Sequence, residues 1–515
     1  MARTSETHPL RLDEVGCGGG VVGLTLCPGK RGASLFGDPW ARDPDIDLDA
    51  IVRWGAVAVL TLVENHELDL LGVADLGTRV EAKGMDWIHA PIRDVDVPDP
   101  VFERRWVVIG HRLRDLLRCG GRVVIHCRGG LGRAGMIAAR LLVETGIPAD
   151  VAISTVRDAR PGAIETAAQA DHVRRTVAPL RDHGEIDRIL GCLLGGAVGD
   201  GFGYAVEFSS MRQIRASHGE NGLQQPLMKD GRLVVSDDTQ MTLFTADAVS
   251  GVDLDDAGVI ERVRLAYLEW RRTQVEPWTP GGAGLLAYEA LWADRAPGVT
   301  CLTALAGGGR GTLDRPINNS KGCGGVMRVA PIGCRTDWSI DRVGWIAASA
   351  AALTHGHPSG FWSAAALAAA VRVLVAGEDT NAALRVIGET LGSDPAAGET
   401  LLAVANAVAA PRAPGDWSAV AQGRFGEGWV GEEALAIALF GFLASDDFRT
   451  VVRLTANHDG DSDSTASIAG QLFGARHGLA ALPWAWVRRL DVFDALCEVA
   501  GLLVENREHG RMATI

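Results

Sequence analysis

The sequence predicts a multidomain protein in which an N-terminal α/β domain is followed by a C-terminal all-α domain. Between residues 56 and 133, short runs of Val, Ile and Leu alternate with helical runs such as 104–117, which is typical of α/β folds. After residue 187, long segments rich in Ala, Leu and Gly have the length and spacing of helices, for example 346–354 and 361–376. Few β-type runs separate these segments, so we expect the second domain to be helical.

The boundary between the α/β region and the helical region falls in a polar connector at residues 181–185. We therefore predict one domain at 1–182 and a second at 186–508, with the longest surface loop at 411–428. A chain of 515 residues is long enough for about three or four domains, but a helical unit of about 300 residues can be one compact domain. The hydrophobic content of 47% is sufficient for two cores.

Composition and charge exclude several kinds of function. The net charge is −14 and no run of Lys and Arg supplies a positive face, which argues against general nucleic-acid binding. The apolar stretch 361–376 is interrupted by Arg372, so it predicts a buried helix rather than a membrane span. Residues 1–15 lack the apolar core of a signal peptide, and nine cysteines without a Cys-x-x-Cys pair favour a reducing compartment. We expect a cytoplasmic protein with no membrane or nucleic-acid partner.

The main motif of the first domain is a strand, a glycine-rich loop and a helix at residues 122–125, 126–133 and 134–144. The N–H groups of such a loop and the N-terminus of its helix attract an oxyanion, and they also stabilise a thiolate at Cys127. Arg133, at the far end of the loop, offers a planar fork for two phosphate oxygens. An inert buried cysteine is the alternative interpretation of Cys127 taken alone.

The order His-Cys-x-Gly-Gly-x-Gly-Arg resembles the signature of cysteine-dependent protein phosphatases of the dual-specificity type, and the segment 157–169 matches the residues after that signature. The resemblance covers about residues 15–180. It implies that Cys127 is the nucleophile and that Arg133 holds the phosphate. For the general acid we choose Asp94, with Asp96 and Asp99 as alternatives, and a solvated loop charge is the competing interpretation of Asp94. The predicted substrate-binding residues are His126, Arg128, Gly129, Gly130 and Gly132.

One residue departs from the phosphatase pattern. Family members usually follow the signature arginine with Ser or Thr, whose hydroxyl stabilises the departing thiolate, whereas this chain has Ala134. Either turnover is slow at that step, or the domain binds phosphate without much hydrolysis.

The second domain contains two acidic clusters far apart in sequence, Ser236-Asp237-Asp238-Thr239 and Asp461-Ser462-Asp463-Ser464. Carboxylates crowded in this way repel one another unless cations intervene, and Mg²⁺, Mn²⁺ and Ca²⁺ prefer such oxygen ligands. The alternative is that Asp237 and Asp238 only occupy a helix N-terminus capped by Ser236, where acidic residues are favourable anyway.

These clusters, together with segments 191–200, 206–208, 318–328 and 354–358, resemble the ADP-ribosylglycohydrolase family over about residues 185–505. The resemblance implies an all-α fold, a catalytic Glu207, and two divalent cations, Mg²⁺ or Mn²⁺. The metal ligands would be Ser236, Asp237, Asp238, Asp461, Asp463 and Ser464. Cys323 is a departure, because many members carry Asn at this position.

Substrate contacts are predicted at a glycine-rich loop and at one histidine. Gly322, Gly324 and Gly325 allow a ligand to approach the backbone closely, so that their N–H groups can point at a pyrophosphate. An ordinary turn is the alternative. His355 is predicted to contact the substrate, although an isolated histidine is more often structural.

The sequence therefore predicts a bifunctional hydrolase, with a cysteine-dependent phosphatase domain and a metal-dependent ADP-ribosyl glycohydrolase domain. Its expected partners are an ADP-ribosylated protein or small molecule and a phosphorylated substrate, and the linkage cleaved stays open. Two alternatives also stay open: a phosphate- or ADP-ribose-binding protein with one weak domain, and a two-step enzyme acting on one phosphorylated ribosyl metabolite.

Overall fold

The computed structural model describes residues 2–33, 37–178, 183–251, 254–412 and 418–512. The chain forms two compact units, Met1–Leu180 and Arg181–Ile515. Residues 181–182 of the predicted connector and 413–417 of the predicted loop lie outside the described residues.

The first unit is an α/β domain built on a five-stranded sheet. Its strands are β1 (Asp13–Cys17), β2 (Gly20–Leu26), β3 (Arg31–Gly32), β4 (Trp40–Ala41), β5 (Ala56–Thr61), β6 (Asp86–His89) and β7 (Arg122–Cys127). Its helices are α1 (Pro44–Trp54), α2 (Asn65–Leu70), α3 (Leu76–Ala82), α4 (Pro100–Arg118), α5 (Gly132–Glu144), α6 (Ala149–Ala159) and α7 (Ala167–Arg175).

The sheet has the strand order β1-β2-β7-β5-β6, and β3 and β4 form a separate antiparallel ribbon. Strand β1 is antiparallel to β2, and the remaining pairings are parallel. Strand β7 lies in the centre and is almost completely buried, which explains its continuous apolar run. It extends two residues further than predicted, so His126 and Cys127 are its last residues. Leu26 of β2 pairs with Cys127, and Thr61 of β5 pairs with His126.

The second unit is helical, and its described residues contain no strand. The helices are α8 (His183–Tyr204), α9 (Met211–His218), α10 (Asp237–Val249), α11 (Asp256–Val275), α12 (Val299–Ala306), α13 (Ala330–Gly333), α14 (Ile340–Ala352), α15 (Pro358–Val375), α16 (Thr380–Gly392), α17 (Gly398–Ala409), α18 (Ser418–Ala421), α19 (Gly431–Ala444), α20 (Phe448–Ala456), α21 (Ser462–His477), α22 (Trp484–Val487) and α23 (Phe493–Met512). Short 3₁₀ helices occur at Gly284–Ala287, Glu289–Trp292, Cys323–Gly325, Pro395–Ala397 and Leu479–Ala481.

Helices α8 and α21 form the central pair of this unit because glycines let their backbones touch. A Cβ atom at Gly199 would lie 2.1 Å from the carbonyl oxygen of Ala466, and one at Gly203 would lie 2.1 Å from that of Ser462. Side chains larger than glycine at these positions would therefore force the helices apart. The close approach brings the start of α21, with its acidic cluster, against the C-terminal end of α8.

Helix α15 contains the apolar stretch that the sequence predicts to be a buried helix. It is long and apolar enough to cross a membrane by composition alone, but 83% of it is buried inside the protein. It packs against α14, α16 and α19, as a core helix does.

Candidate active sites

The loop after β7 curls around the sulfur atom of Cys127. The Gly130 N–H donates a hydrogen bond to Cys127 Sγ at 3.2 Å, and the cysteine itself is buried. Gly130 has φ +74°, and a Cβ atom there would lie 2.2 Å from the carbonyl oxygen of Thr25. Only glycine fits this close turn. Helix α5 begins at Gly132, two residues earlier than predicted, and its first turn contains no acidic residue.

Arg133 is buried in the first turn of α5, and a carboxylate holds its guanidinium. Its two terminal nitrogens donate to Glu67 Oε2 at 2.6 Å and Glu67 Oε1 at 2.9 Å, and Nη1 also donates to the carbonyl oxygen of Ile92 at 2.9 Å. Burial opposes the charge of Arg133, but the hydrogen bonds to Glu67 and the neighbouring charges raise its pKa. The fork of the arginine is thus fixed in a single orientation.

Glu67 is a site residue that the sequence reasoning missed. It lies in the first turn of α2, where its Oε2 also accepts a hydrogen bond from the Glu64 N–H at 2.9 Å, forming a capping box. The pattern Glu-x-x-Glu was visible in the sequence, but it indicates only a helix start.

Among the three candidate acids, the structure places Asp94 beside the signature arginine. Asp94 Oδ1 lies 2.8 Å from Arg133 Nη2, and its side chain is half exposed. Asp96 instead accepts a hydrogen bond from the Val97 N–H at 2.8 Å, and Asp99 caps α4 by accepting from the Phe102 N–H at 2.7 Å. Beside the phosphate-binding arginine, Asp94 is placed to give a proton to a leaving group. The helix cap of α4 explains the presence of Asp99.

The other predicted loop residues differ in their surroundings. His126 is fully buried, and its Nε2 lies 2.8 Å from the Thr61 hydroxyl, so it supports the loop from the sheet. Burial lowers the pKa of His126 to about 3, which keeps its ring neutral. Arg128 and Gly129 are exposed on the loop. Ala134 is buried in the first turn of α5, and it brings no hydroxyl to the site.

In the second unit, the two acidic clusters are the starts of two helices. Ser236 caps α10 by accepting from the Asp238 N–H at 3.2 Å, and Asp461 caps α21 by accepting from the Ser464 N–H at 3.2 Å. The helix-cap interpretation of Ser236 therefore describes the backbone correctly. It does not exclude a ligand role, because both clusters line one pocket of about 600 Å³.

The predicted metal-ligating carboxylates of this pocket are buried, and the described residues around them offer no basic partner. Asp237, Asp238, Asp461 and Asp463 are each at most 4% exposed. Burial raises the pKa of all four, and the charge of Asp463 adds to the effect at Asp237 and Asp238. No Lys or Arg is among the described residues that line the pocket. Such a cluster needs either bound protons or bound cations to be stable.

Asp200, at the C-terminal end of α8, is a second residue that the sequence reasoning did not assign to the site. Its carboxylate accepts hydrogen bonds from the N–H groups of Ser236 at 2.9 Å and Thr239 at 3.0 Å, and from the Thr239 hydroxyl. Burial and the charge of Asp463 raise the pKa of Asp200 to about 7. Asp200 therefore fixes the start of α10. It is the last residue of segment 191–200, which the sequence analysis named without giving Asp200 a role.

The donor chemistry of the pocket fits hard divalent cations. All predicted ligands supply oxygen atoms, and Asp238 Oδ2 is buried without a hydrogen-bond partner. Among the described residues, no three His, Cys, Asp or Glu side chains are already arranged to hold a metal ion. Here Asp461 accepts hydrogen bonds from Cys323 Sγ and the Ser464 N–H, and Asp463 accepts one from the Ser464 N–H.

Glu207 lies in the same pocket and is only 6% exposed. Burial and the charges of Asp463, Asp461 and Asp237 raise its pKa to about 10. The carboxyl group therefore keeps its proton at neutral pH in this arrangement. The next residue, Phe208, is exposed and stacks on Trp429 with ring centroids 6.2 Å apart, which forms an aromatic edge to the pocket.

The glycine-rich loop and the histidine line the same pocket as the acidic clusters. Gly322 and Gly324 line it, whereas Gly325 packs against the carbonyl oxygen of Gly360, where a Cβ atom would lie 2.6 Å away. The Gly322 N–H already donates to the Ser320 hydroxyl at 3.2 Å. His355 lines the pocket, and its Nδ1 lies 2.8 Å from the Thr354 hydroxyl. Burial and Arg328 lower the pKa of His355 to about 3, so its ring stays neutral.

Cys323 faces the acidic cluster. Its Sγ donates a hydrogen bond to Asp461 Oδ2 at 2.7 Å and lies 3.7 Å from the Ser464 hydroxyl. Burial and the charges of Asp461 and Asp238 raise the pKa of Cys323, which keeps it a thiol. The residue that departs from the family pattern therefore still acts as a hydrogen-bond donor here.

Comparison with known proteins gives a match for each unit. The ADP-ribosylglycohydrolase family model matches residues 181–511, and the model of the polymorphic toxin system DSP-PTPase phosphatase matches residues 38–147. The ADP-ribosyl-[dinitrogen reductase] glycohydrolase of Rhodospirillum rubrum is 25% identical over 338 residues, covering 61% of this chain and 97% of the relative. The ADP-ribosylarginine hydrolase Tri1 of Pseudomonas putida is 24% identical over 328 residues, covering 63% and 80%. Cyclin-dependent kinase inhibitor 3 of Rattus norvegicus is 30% identical over 167 residues, covering 32% and 74%.

Proposed function

The chain belongs to the ADP-ribosylglycohydrolase family, and from this premise we propose that its C-terminal unit removes ADP-ribose from a modified protein or small molecule in a metal-dependent reaction. The N-terminal unit is a phosphatase domain of the dual-specificity type, so the chain is a two-domain hydrolase. The observation that carries the proposal is the pocket in which buried carboxylates from two helix starts face one another without a basic partner.

In the glycohydrolase unit, Mg²⁺ or Mn²⁺ would be held by Ser236, Asp237, Asp238, Asp461, Asp463 and Ser464. When bound, the two ions supply charge that orients the ribose and polarises a water molecule. Glu207, which holds its proton in this pocket, donates it to the departing group or positions the water. The neutral ring of His355 and the backbone at Gly322 and Gly324, which line the same pocket, contact the ADP-ribose.

In the phosphatase unit, Cys127 Sγ attacks the phosphorus atom while the bond from phosphorus to the leaving oxygen breaks. Arg133 and the loop N–H groups hold the other phosphate oxygens, and Asp94 gives its proton to the leaving oxygen. Water then cleaves the cysteinyl phosphate and releases inorganic phosphate. All nine cysteines are free thiols, which suits a reducing cytoplasm.

The names of the relatives support a protein-linked substrate, since they act on ADP-ribosylated dinitrogen reductase or on ADP-ribosylarginine. Two other functions stay open. Ala134 favours a phosphate-binding domain with weak turnover, and the presence of two hydrolase domains in one chain is compatible with a two-step enzyme for one phosphorylated ribosyl metabolite.

The test is incubation of the full chain with Mg²⁺ or Mn²⁺ and a panel of peptides ADP-ribosylated on arginine or serine, with free ADP-ribose measured by mass spectrometry. Release should require the metal and stop in excess chelator. Equal release in chelator contradicts the metal mechanism, and binding of ADP-ribose without release from any substrate supports the binding-protein alternative.

A further inference from the structure

A small cavity of about 200 Å³ lies beside the Cys127 loop. Three basic residues line it: Lys30, in the segment after β2, Arg31, the first residue of β3, and Arg128, which follows Cys127 directly. We call this cavity the basic pocket. The proposed phosphatase mechanism uses the loop N–H groups, Arg133 and Asp94, so it does not involve Lys30 or Arg31.

The positive charges of the basic pocket are not neutralised within the described residues. Lys30 Nζ donates to the carbonyl oxygen of Arg128 at 3.2 Å, and Arg31 Nε donates to the carbonyl oxygen of Arg42 at 3.4 Å. Glu67 also lines the pocket, but both of its carboxylate oxygens are bonded to Arg133. In the described part of the chain none of the three basic side chains has an ion-pair partner.

Lys30 is partly buried between protein groups that do not compensate its charge. Its ammonium lies 5.6 Å from the centre of the Trp40 ring, which gives a weak attraction. Burial, and then the charge of Arg128, lower the pKa of Lys30. A bound anion would relieve this repulsion.

The basic pocket adjoins the residues that would hold a phosphate at Cys127. Arg128 is part of the loop, Glu67 holds the arginine that binds the phosphate, and Lys30 contacts the loop backbone. The wall also contains Leu70, whose side chain is 76% exposed and offers an apolar contact. The cavity is too small for a folded segment of a protein, but it suits one charged group and a few carbon atoms.

We propose that the basic pocket binds a second phosphate group of the substrate, so that the phosphatase unit acts on small molecules that carry two phosphates. The inference rests on the proposed phosphatase function. One phosphate occupies the Cys127 loop, the other is held by Lys30, Arg31 and Arg128, and the carbon framework between them passes Leu70. A doubly charged phosphate matches three basic side chains better than an uncharged group does.

The test measures how well ligands protect Cys127 of the full chain from iodoacetamide, a neutral reagent that the basic pocket does not attract. The probes are inorganic phosphate, pyrophosphate, fructose 6-phosphate and fructose 1,6-bisphosphate, at constant ionic strength. Two comparisons are made, pyrophosphate with inorganic phosphate and fructose 1,6-bisphosphate with fructose 6-phosphate. In the better of the two, the ligand with two phosphates should half-protect Cys127 at a concentration about tenfold lower than its partner with one phosphate. The replacement Lys30→Met, which keeps an unbranched side chain beside Trp40, should remove most of this advantage.

Arg53→Met is the matched control, because Arg53 is an exposed basic residue on α1. It should leave the ratio between bis- and monophosphate unchanged. If the ligands with one phosphate protect Cys127 as well as pyrophosphate and fructose 1,6-bisphosphate do, the second-phosphate site is overturned while the phosphatase function stays intact. Equal effects of Lys30→Met and Arg53→Met also overturn it, since the advantage is then general electrostatic attraction. Absence of protection by every probe rejects the phosphate site itself.

Discussion

The two sites of this chain use the same structural element, the start of a helix, for opposite purposes. Helix α5 has no acidic residue in its first turn, and its partial positive charge supports the anion-binding loop around Cys127. Helices α10 and α21 carry Asp237, Asp238 and Asp463 in their first turns. The residues of the first turn therefore decide whether a helix start suits a phosphate or a metal ion.

The two sites also differ in whether the protein itself supplies a counter-charge to their buried charged groups. In the phosphatase unit, the buried Arg133 has its partner within the protein, because Glu67 holds both terminal nitrogens. In the glycohydrolase unit, the carboxylates have no basic partner among the residues that line the pocket. The arginine thus has its counter-charge within the protein, whereas under the proposed function the acidic pocket would take its counter-charge from bound cations. The predictions below test this difference, beginning with the largest expected effect.

The replacement Cys127→Ser separates the two sites most strongly. Phosphate hydrolysis should fall by about 10⁴-fold, since the nucleophile is lost, while release of ADP-ribose should not change. Assays of both activities on the same preparation measure this. A parallel fall of both activities would indicate that the variant has lost its fold rather than its nucleophile.

The replacement Asp463→Asn tests whether the acidic pocket is a metal site. Release of ADP-ribose should fall by about 10³-fold, and the melting temperature of this unit in chelator should rise, because one repulsive charge is gone. The stabilisation that Mg²⁺ or Mn²⁺ gives to the wild type should disappear. Calorimetry with and without metal supplies a measurement independent of activity.

Asp379→Ala is the control for Asp463→Asn, because Asp379 is likewise an acidic residue at a helix start but lies outside the pocket. It accepts a hydrogen bond from the Ala382 N–H at 2.8 Å at the start of α16. It should cost about 1 kcal/mol of stability and leave the response to metal unchanged. If both variants retain metal-induced stabilisation, Asp463 only favours the start of its helix and does not hold the metal.

The replacement Glu67→Gln tests whether the internal partner of Arg133 matters. The variant leaves a buried guanidinium with only the half-exposed Asp94 as a counter-charge, so phosphatase activity should fall by about 10²-fold and the unit should be less stable by about 3 kcal/mol. The half-exposed carboxylate of Glu103, which pairs with Arg140, gives the control Glu103→Gln, and its effect on activity should be small.

The same ion pair predicts a pH dependence of stability. Burial alone would raise the pKa of Glu67, but the hydrogen bonds from Arg133 and Glu64 lower it below its ordinary value of 4.5. The contribution of the pair is therefore fully present above about pH 4.5 and is lost as the pH falls through the lowered pKa. Acid unfolding of wild type and Glu67→Gln should converge at low pH; a constant difference would contradict this assignment.

The replacement Ala134→Ser has the smallest expected effect and separates a slow enzyme from a phosphate-binding domain. A hydroxyl at this position should stabilise the departing thiolate and raise the steady-state rate by about five- to thirtyfold. The wild type should show a burst of leaving group followed by slow turnover. Rapid-quench measurements on an aryl phosphate decide this: no burst and an unchanged rate support phosphate binding alone.

Much of the fold was predictable because it depends on local patterns. Buried parallel strands give continuous apolar runs, and helices give periodic ones, so the α/β and helical halves were separable. The buried helix α15 followed from its length, its alanines and the interrupting Arg372. The ends of elements were less accurate: β7 extends through His126 and Cys127, and α5 begins at Gly132, because the sheet register and the turn at Gly130 set these limits.

The sequence alone determined the two families and the residues whose chemistry is written into contiguous motifs, such as the Cys127 loop and the acidic helix starts. The sequence already favoured Asp94 among three acids, but only the tertiary structure put it beside Arg133, joined Glu67 to Arg133, and placed Cys323 against Asp461. Glu67 and Arg133 are 66 residues apart in the sequence, and Cys323 and Asp461 are 138 residues apart. Local sequence specifies a strand, a turn or a helix start. Which side chains then meet depends on how the elements pack, as the glycine contact of α8 with α21 demonstrates.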